Sequence, residues 1–212
     1  MRANLAVRET LVRTRTRYIG LAKALVRRDG LRVAASESHL VAQRIAALEL
    51  SENLAAELLP LFELLAPLNE QIAAADRRIA LLTKDDPTVA LLATAPSIGP
   101  ITAAAIVATI DDVKRFRSAH QVEAFLGVVP GERSAGDKRQ IGRITKAGNA
   151  RARYLLVEAG WRILCAKDAE TEALRAWALG IAARRGKRIA VVGCRGRAPR
   201  STNASPTAMP ID

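Results

Sequence analysis

The sequence predicts an all-α protein: a long helical coiled-coil region, then a small helical domain with a helix–hairpin–helix, then a disordered tail. Half of the residues are apolar but only 3% are aromatic, so Leu, Ala, Val and Ile must form the core. Ala and Leu favour helices, and Gly and Pro do not recur at the short regular intervals that strands and hairpins need. From Leu54 onward the apolar positions follow a heptad pattern, which is typical of helices that pack side by side.

The N-terminal segment predicts a basic helix that stops near Gly30. Residues 1–32 carry nine Lys and Arg residues against Glu9 and Asp29, with Leu5, Leu11, Ile19, Leu21 and Leu25 among them. A solvated helix face and a phosphate-contacting face fit this pattern equally well. Residues 36–38 form a short connection to the next helical segment.

The heptad segment predicts one long helix. Apolar residues occupy positions 54, 58, 61, 65, 68, 72, 75, 79 and 82, which would extend over roughly 40 Å. Pro60 and Pro67 interrupt the pattern, because an interior proline costs about 3 kcal/mol. We expect one of them to mark a helix start and the other a kink. The apolar seam could pair with a second copy of the chain or form a hairpin with residues 1–50.

Residues 96–102 form the predicted hairpin of the helix–hairpin–helix. Polar residues 84–87 end the long helix, and a Pro-x-x-Gly-Pro sequence then separates an apolar segment from an Ala-rich helix. Gly99 is expected to allow a tight turn, and the amides of Ile101 and Thr102 at the next helix start suit a backbone phosphate. An ordinary helix corner without a ligand is the alternative. Asp111 and Asp112 are expected to cap the following helix rather than to hold a metal.

Charge predicts a nucleic-acid partner. The net charge is +12 and the pI is near 10.8, so the expected partner is a polyanion. Glycines keep residues 127–148 in turns, and Asn149 is expected to cap the next helix and to point Arg151 and Arg153 outward on one face. A solvated basic loop competes with phosphate binding. The predicted contacts in this segment are Arg133, Lys138, Arg139, Arg143, Lys146, Asn149, Arg151 and Arg153.

Several classes of protein are disfavoured. No apolar run approaches ~20 residues, so we expect no membrane span, and no secretory signal follows the N-terminal arginines. Cys165 and Cys194 form no CxxC pair, and His39 and His120 are isolated, so no metal site is predicted. Reduced thiols in a cytoplasm are expected.

Ser134 lies between Arg133 and Gly136 in the basic segment. A serine hydroxyl attacks phosphorus when something lowers its pKa or stabilises the developing charge, and neighbouring guanidinium groups could do the latter. From the residues alone, an ordinary turn serine fits at least as well.

Spaced motifs resemble a known family. They are PSIGP at 96–100, RF at 115–116, FLGVVP at 125–130, Ser134 with Gly136, and GRITKAGN at 142–149. In this order they are similar to the C-terminal transposase domain of the insertion-sequence one-ten family, bridge-RNA-guided recombinases with a DEDD acidic domain. The close match covers residues 88–165, and residues 1–87 resemble the family's coiled-coil region. The resemblance implies three parts: residues 1–87, a transposase domain at 88–192, and a tail at 193–212.

The resemblance implies a transposase that acts in DNA transposition and recombination with Ser134 as its nucleophile. Many members carry two serines before the glycine, whereas Ser134 is followed by Ala135 here. The implied partners are DNA, a guide RNA and further copies of the chain through residues 54–82, in a bacterial cytoplasm at the nucleoid. The chain itself needs no cofactor, since the family's Mg²⁺ belongs to the acidic domain.

Two departures from the family pattern limit the expected activity. The acidic domain is not found upstream, so we expect a truncated transposase that is inactive alone. From Gly193 the sequence is rich in Arg, Pro and Ser, resembles a shifted reading frame and should be disordered. The alternatives are a non-catalytic helix–hairpin–helix module that binds nucleic acid and a coiled-coil assembly protein that uses Leu54–Leu82.

Overall fold

The computed structural model of the chain describes residues 1–132 and 140–193. The chain folds as two compact units that divide between Asp86 and Pro87. Helices dominate both units, which confirms the predicted all-α class. Residues 194–212 lie outside the described part, so the prediction of a disordered tail is untested for them. Gly193, the first residue of the predicted tail, lies in the helix Lys187–Gly193. Within residues 1–132 and 140–193, no helix combines the length and the apolarity that crossing a bilayer requires.

The first unit contains helices α1 (Arg2–Arg28), α2 (Val41–Ala46) and α3 (Glu52–Thr83). α1 ends where the sequence predicted, and Gly30 follows in a left-handed conformation with φ of +79°. α3 begins after Ser51, whose hydroxyl oxygen accepts a hydrogen bond from the Leu54 backbone N–H at 3.3 Å. That N-cap satisfies one of the amides left open at the helix start.

α1 and α3 pack as an antiparallel hairpin. Three contacts fix the direction, because the residue number falls on α3 as it rises on α1: Arg8 pairs with Asp76, Arg15 Nη1 donates to Asn69 Oδ1 at 3.1 Å, and Arg28 pairs with Glu57. Burial, followed by the charge of Arg8, lowers the pKa of the Arg15 guanidinium, whereas Asp76 acts in the opposite direction. Polar pairs at half-buried positions oppose a register shift, since sliding would leave the charges unpaired.

The apolar seam of α3 faces the inside of its own unit over its first half. Leu54 and Leu58 are fully buried and Leu65 nearly so, and they form one cluster with α1 and α2. The α1 and α2 members of the cluster are Ile19, Ala22, Val26, Val41 and Ile45. Of the two alternatives for the seam, the structure therefore supports the hairpin with residues 1–50 over this half.

Both prolines lie inside α3, so the expectation that one of them marks a helix start is wrong. The reason is their position on the outer face. Pro60 and Pro67 are exposed, as are Ala56 and Glu63, whose carbonyl groups lose their helical donors to the prolines. Water can bond those carbonyls, so much of the cost of an interior proline is avoided.

The second unit surrounds helix α7 (Ala150–Cys165). α5 (Pro100–Ile110), α6 (Ala119–Leu126), α8 (Ala169–Arg185) and α9 (Lys187–Gly193) pack against it, and α4 (Pro87–Ala93) packs against α5. α5 buries Ala103, Ala104, Ala105, Ile106 and Ile110. The sequence did not predict the two short antiparallel strands, β1 (Pro130–Glu132) and β2 (Ile141–Ile144).

Leu58→Ala should destabilise the first unit by about 2–5 kcal/mol, because it removes a fully buried side chain and leaves a cavity. Leu59→Ala is the matched control, since the neighbouring Leu59 is 56% exposed and its loss should change stability by less than about 0.5 kcal/mol. Urea unfolding of both variants gives the comparison. Equal effects would contradict the described orientation of α3.

Candidate nucleic-acid interface

The turn between α4 and α5 lies where the hairpin was predicted, but another residue makes it tight. Ser97 adopts the left-handed conformation with φ of +63°, whereas Gly99 is extended with φ of −86°. A Cβ on Gly99 would meet nothing within 4 Å. The expectation that Gly99 supplies the tight turn is therefore wrong.

Gly99 instead precedes α5 as its N-cap residue. It has no side chain to bond the open amides, and Pro100 follows at the first helical position. Ile101 and Thr102 lie half-buried in the first turn. Open backbone N–H groups at a helix start can donate hydrogen bonds to a phosphate oxygen. Phosphate binding by Ile101 and Thr102 stays a prediction. Asp112 caps the short turn at Val113–Arg115, as expected, by accepting from the Lys114 N–H at 2.8 Å.

Arg115 and Phe116, the RF motif, hold the segment before α6 against Phe125 in that helix. The guanidinium of Arg115 lies over the rings of Phe116 and Phe125, with its carbon 4.7 Å and 4.5 Å from the two centroids. The two rings contact each other at 5.3 Å and a tilt of 57°. Such contacts contribute on the order of 1 kcal/mol each. They hold the segment before α6 against the helix that leads into Gly127.

Two backbone segments then cross almost in contact. Gly127 ends α6 in the left-handed conformation, with φ of +68°, and Gly148 has φ of +78°. A Cβ on Gly127 would lie 1.9 Å from the Ala147 carbonyl oxygen, and one on Gly148 would lie 1.9 Å from the Phe125 carbonyl oxygen. Neither position can hold another residue without a backbone shift. We call this approach of residues 125–127 to residues 147–148 the glycine crossing.

Backbone hydrogen bonds continue the contact toward the strands. The Lys146 N–H donates to the Gly127 carbonyl at 3.1 Å, and the Thr145 N–H donates to the Val129 carbonyl at 2.9 Å. β1 and β2 follow, with Pro130 opposite Ile144 and Glu132 opposite Ile141. The two ends of the segment that joins the strands are therefore held close together.

Arg153 bridges the glycine crossing. Its Nη1 donates to the Leu126 carbonyl at 3.1 Å and to the Ala147 carbonyl at 3.0 Å, so one guanidinium nitrogen ties both segments to α7. The expectation that Arg151 and Arg153 point outward on one face is wrong. Residues two apart on a helix lie about 200° apart around its axis, and Arg153 turns back onto the carbonyls.

Of the remaining predicted nucleic-acid contacts, some lie in the described part of the chain and others do not. Asn149 caps α7 as expected, with its side-chain oxygen accepting from the Arg151 and Ala152 N–H groups at 2.9 and 3.0 Å. Arg143 and Lys146 are exposed and available to a phosphate. Arg133, Ser134, Lys138 and Arg139 lie outside the described residues. Sequence reasoning missed the crossing, although Gly127 and Gly148 both stand inside the quoted motifs and were a usable signal.

Gly148→Ala should destabilise the second unit by about 2–4 kcal/mol, because it combines a strained backbone with overpacking against the Phe125 carbonyl. Gly180→Ala in α8 is the matched control, since a Cβ there meets nothing within 4 Å. Alanine in that helix should stabilise by about 0.5–1 kcal/mol. Chemical denaturation distinguishes the two, and a Gly148→Ala protein as stable as the parent would refute the close approach.

Known proteins share the segment that contains these features. The sequence profile of the transposase IS116/IS110/IS902 family matches residues 89–175, the segment that contains the helix–turn–helix of α4 and α5, the glycine crossing and α7. A probable family 20 transposase of Pseudomonas aeruginosa is 28% identical over 88% of this chain and 57% of its own length. The transposase for insertion sequence element IS1111A of Coxiella burnetii is 26% identical over 91% of this chain and 54% of its own.

A third relative is also a transposase. The transposase for insertion sequence element IS1328 of Yersinia enterocolitica is 31% identical over 72% of this chain and 46% of its own length. The chain spans about half the length of these relatives. The matches cover both compact units rather than one isolated motif. Residues 89–175 of the chain form a domain of the IS116/IS110/IS902 transposase family.

Proposed function

We propose that the chain acts in DNA transposition and recombination of an insertion sequence, with Ser134 as the nucleophile that attacks a DNA phosphate. The observation that carries the proposal is the glycine crossing with its strand pair. Because Glu132 pairs with Ile141, the ends of the segment that contains Ser134 are brought together at the end of the strand pair, which extends from the glycine crossing. A nucleophile needs a positioned support of this kind, since misplacement by about 1 Å can cost a hundredfold in rate.

The proposed step is a transesterification. The hydroxyl oxygen of Ser134 attacks phosphorus, a phosphoserine diester forms, and one phosphorus–oxygen bond to the sugar breaks. The departing sugar oxygen takes up a proton as the serine hydroxyl loses one, so charge and atoms balance. Guanidinium and ammonium groups of the basic segment would stabilise the negative charge that develops on the phosphate oxygens.

The divalent metal implied by the family resemblance has no evident place among the described residues. Residues 1–132 and 140–193 contain no group of three or more His, Cys, Asp or Glu that could hold a metal ion. The proposed division of labour is that acidic residues of a segment outside this chain bind Mg²⁺ and this chain supplies the serine.

DNA binding is proposed to use the exposed cations beside the crossing. Arg143 and Lys146 are exposed, and the start of α5 offers amides to a second phosphate. A guide RNA is proposed as a further partner at the bacterial nucleoid. Self-association through residues 54–82 would have to use the outer face of α3, where Leu59 and Leu64 are 56% and 50% exposed, because Leu54, Leu58 and Leu65 are buried within the unit.

The experiment is to trap a covalent protein–DNA adduct. The chain, mixed with the full-length Pseudomonas relative, Mg²⁺ and insertion-end DNA, should yield an adduct recognisable by the chain's mass of 22.8 kDa. Ser134→Ala should abolish the adduct of this chain while leaving its DNA affinity within about twofold. Ser118→Ala, at an exposed serine of the described part, should leave the adduct intact.

Two results would contradict the proposal. One is an adduct of this chain that persists in Ser134→Ala. The other is no adduct from the unsubstituted chain while DNA still binds and affinity falls steeply with salt. That second result would favour the non-catalytic nucleic-acid-binding module.

A further inference from the structure

Four charged residues lie in one row along α3, on the side that faces away from its buried leucines. Glu63, Glu70, Arg77 and Lys84 follow one another at intervals of seven positions, which brings them to nearly the same side of the helix. All four are exposed, and none of them belongs to the ion pairs found in the described part of the chain. Neighbours in this row are about 10.5 Å apart along the axis, which is too far for them to pair with each other. We call these four residues the charged row.

The order of the charges makes the row complementary to a second copy of itself. Two acids are followed by two bases, so an antiparallel pair of α3 helices can set Glu63 opposite the partner's Lys84 and Glu70 opposite the partner's Arg77. A twofold axis repeats both pairs. In a parallel twofold pair each residue would face its own counterpart, and like charges would meet. Charged flanking positions select orientation and partner in paired helices in this way.

An apolar groove lies beside the charged row. It has a volume of about 670 Å³, it lies between α1 and the second half of α3, and Val7, Leu11, Ala74, Arg77 and Leu81 are among the residues that line it. Leu81 is 74% exposed and Val7 is 58% exposed. Covering these side chains would remove apolar surface from water, which favours association without fixing its geometry. The charged row supplies the missing direction.

The size of this face fits a second copy of the chain. The charged row extends over about 30 Å, and a seat on α1 and α3 is two helices or about 20 Å wide. Each copy would therefore bury on the order of 600 Å², which together reaches the roughly 1,000 Å² expected of a specific interface. A polyanion fits this face less well, because half of the row is acidic.

We propose that a second copy of the chain places its α3 antiparallel on the groove between α1 and α3, with Glu63 opposite the partner's Lys84 and Glu70 opposite the partner's Arg77. This proposal rests on the self-association proposed above, to which it adds a face, an orientation and a register. It does not depend on the chemistry of Ser134.

Charge reversal tests the pairing. Glu63→Lys with Glu70→Lys makes the row entirely cationic, and Arg77→Glu with Lys84→Glu makes it entirely anionic. In sedimentation equilibrium at about 0.1 M salt, where exposed charges are only partly screened, either variant alone should show a dimer Kd at least tenfold above that of the parent. An equal mixture of the two should form heterodimers as tight as the parent dimer, because every cation then faces an anion.

Two controls separate this pairing from other effects. Glu49→Lys with Glu52→Lys changes the net charge equally at exposed positions outside the row, and this variant should dimerise like the parent. Ser134→Ala should also dimerise like the parent. A failure of the proposed nucleophile would therefore leave the dimer unchanged, so the two proposals can fail separately.

Disulfide trapping tests the orientation. The proposed register sets Ala66 opposite the partner's Leu81, both of them exposed. In the full-length chain with Cys165→Ser and Cys194→Ser, a mixture of Ala66→Cys and Leu81→Cys chains should form a mixed disulfide under mild oxidation. Either variant alone should remain unlinked, because each cysteine would lie about 22 Å from its own counterpart, beyond the reach of a disulfide.

Three outcomes would overturn the proposal. A parent chain that stays monomeric up to millimolar concentration would remove the self-association altogether. A dimer that neither charge-reversed variant weakens would show that the charged row lies outside the interface. A disulfide between two Leu81→Cys chains, without one in the mixture, would assign a parallel pairing.

Discussion

The second unit depends on one close approach of backbone to backbone. Two residues without a Cβ let the end of α6 and the turn before α7 come together, at a separation where any side chain would meet a carbonyl oxygen at 1.9 Å. Two carbonyl groups at the crossing, those of Leu126 and Ala147, accept hydrogen bonds from a single nitrogen of Arg153. Because the donor is charged, these hydrogen bonds are stronger than those between neutral backbone amides and carbonyls. This arrangement positions α7 and the two strands relative to each other.

The first unit uses a different physical device for the same purpose of fixing one arrangement. Its hairpin buries apolar side chains at both ends, Leu54 and Leu58 near α2 and Leu5, Ile72 and Ile79 at the other end. Polar pairs lie beside them, where Arg8 meets Asp76 and Arg15 meets Asn69. Apolar contact drives the association, whereas polar pairs penalise every register but one. Each unit thus combines a non-directional source of stability with a few directional bonds that determine geometry.

Periodic and local features could be predicted from the sequence, and features that depend on distant contacts could not. The extent of α3 follows from its heptads, and the cap at Asn149 follows from residue type alone. Pro60 and Pro67 were misjudged because propensity does not reveal which face meets water. Gly99 was misjudged because a glycine beside a turn need not be its left-handed residue. Arg153 was assigned to phosphate because no pattern shows that two carbonyls, one of them 27 positions away, await a donor.

Arg153 bonds both backbone segments of the glycine crossing, from which β1 and β2 extend. Amide hydrogen exchange in Arg153→Met tests this role most directly, read at Thr145 and Lys146, whose N–H groups donate across the crossing. We expect exchange at these two amides to be at least tenfold faster than in the parent, with the amides of α5 unchanged. Arg162→Met, at an exposed position of the same helix, should change neither. Unaltered protection of Thr145 and Lys146 in Arg153→Met would contradict the role of Arg153.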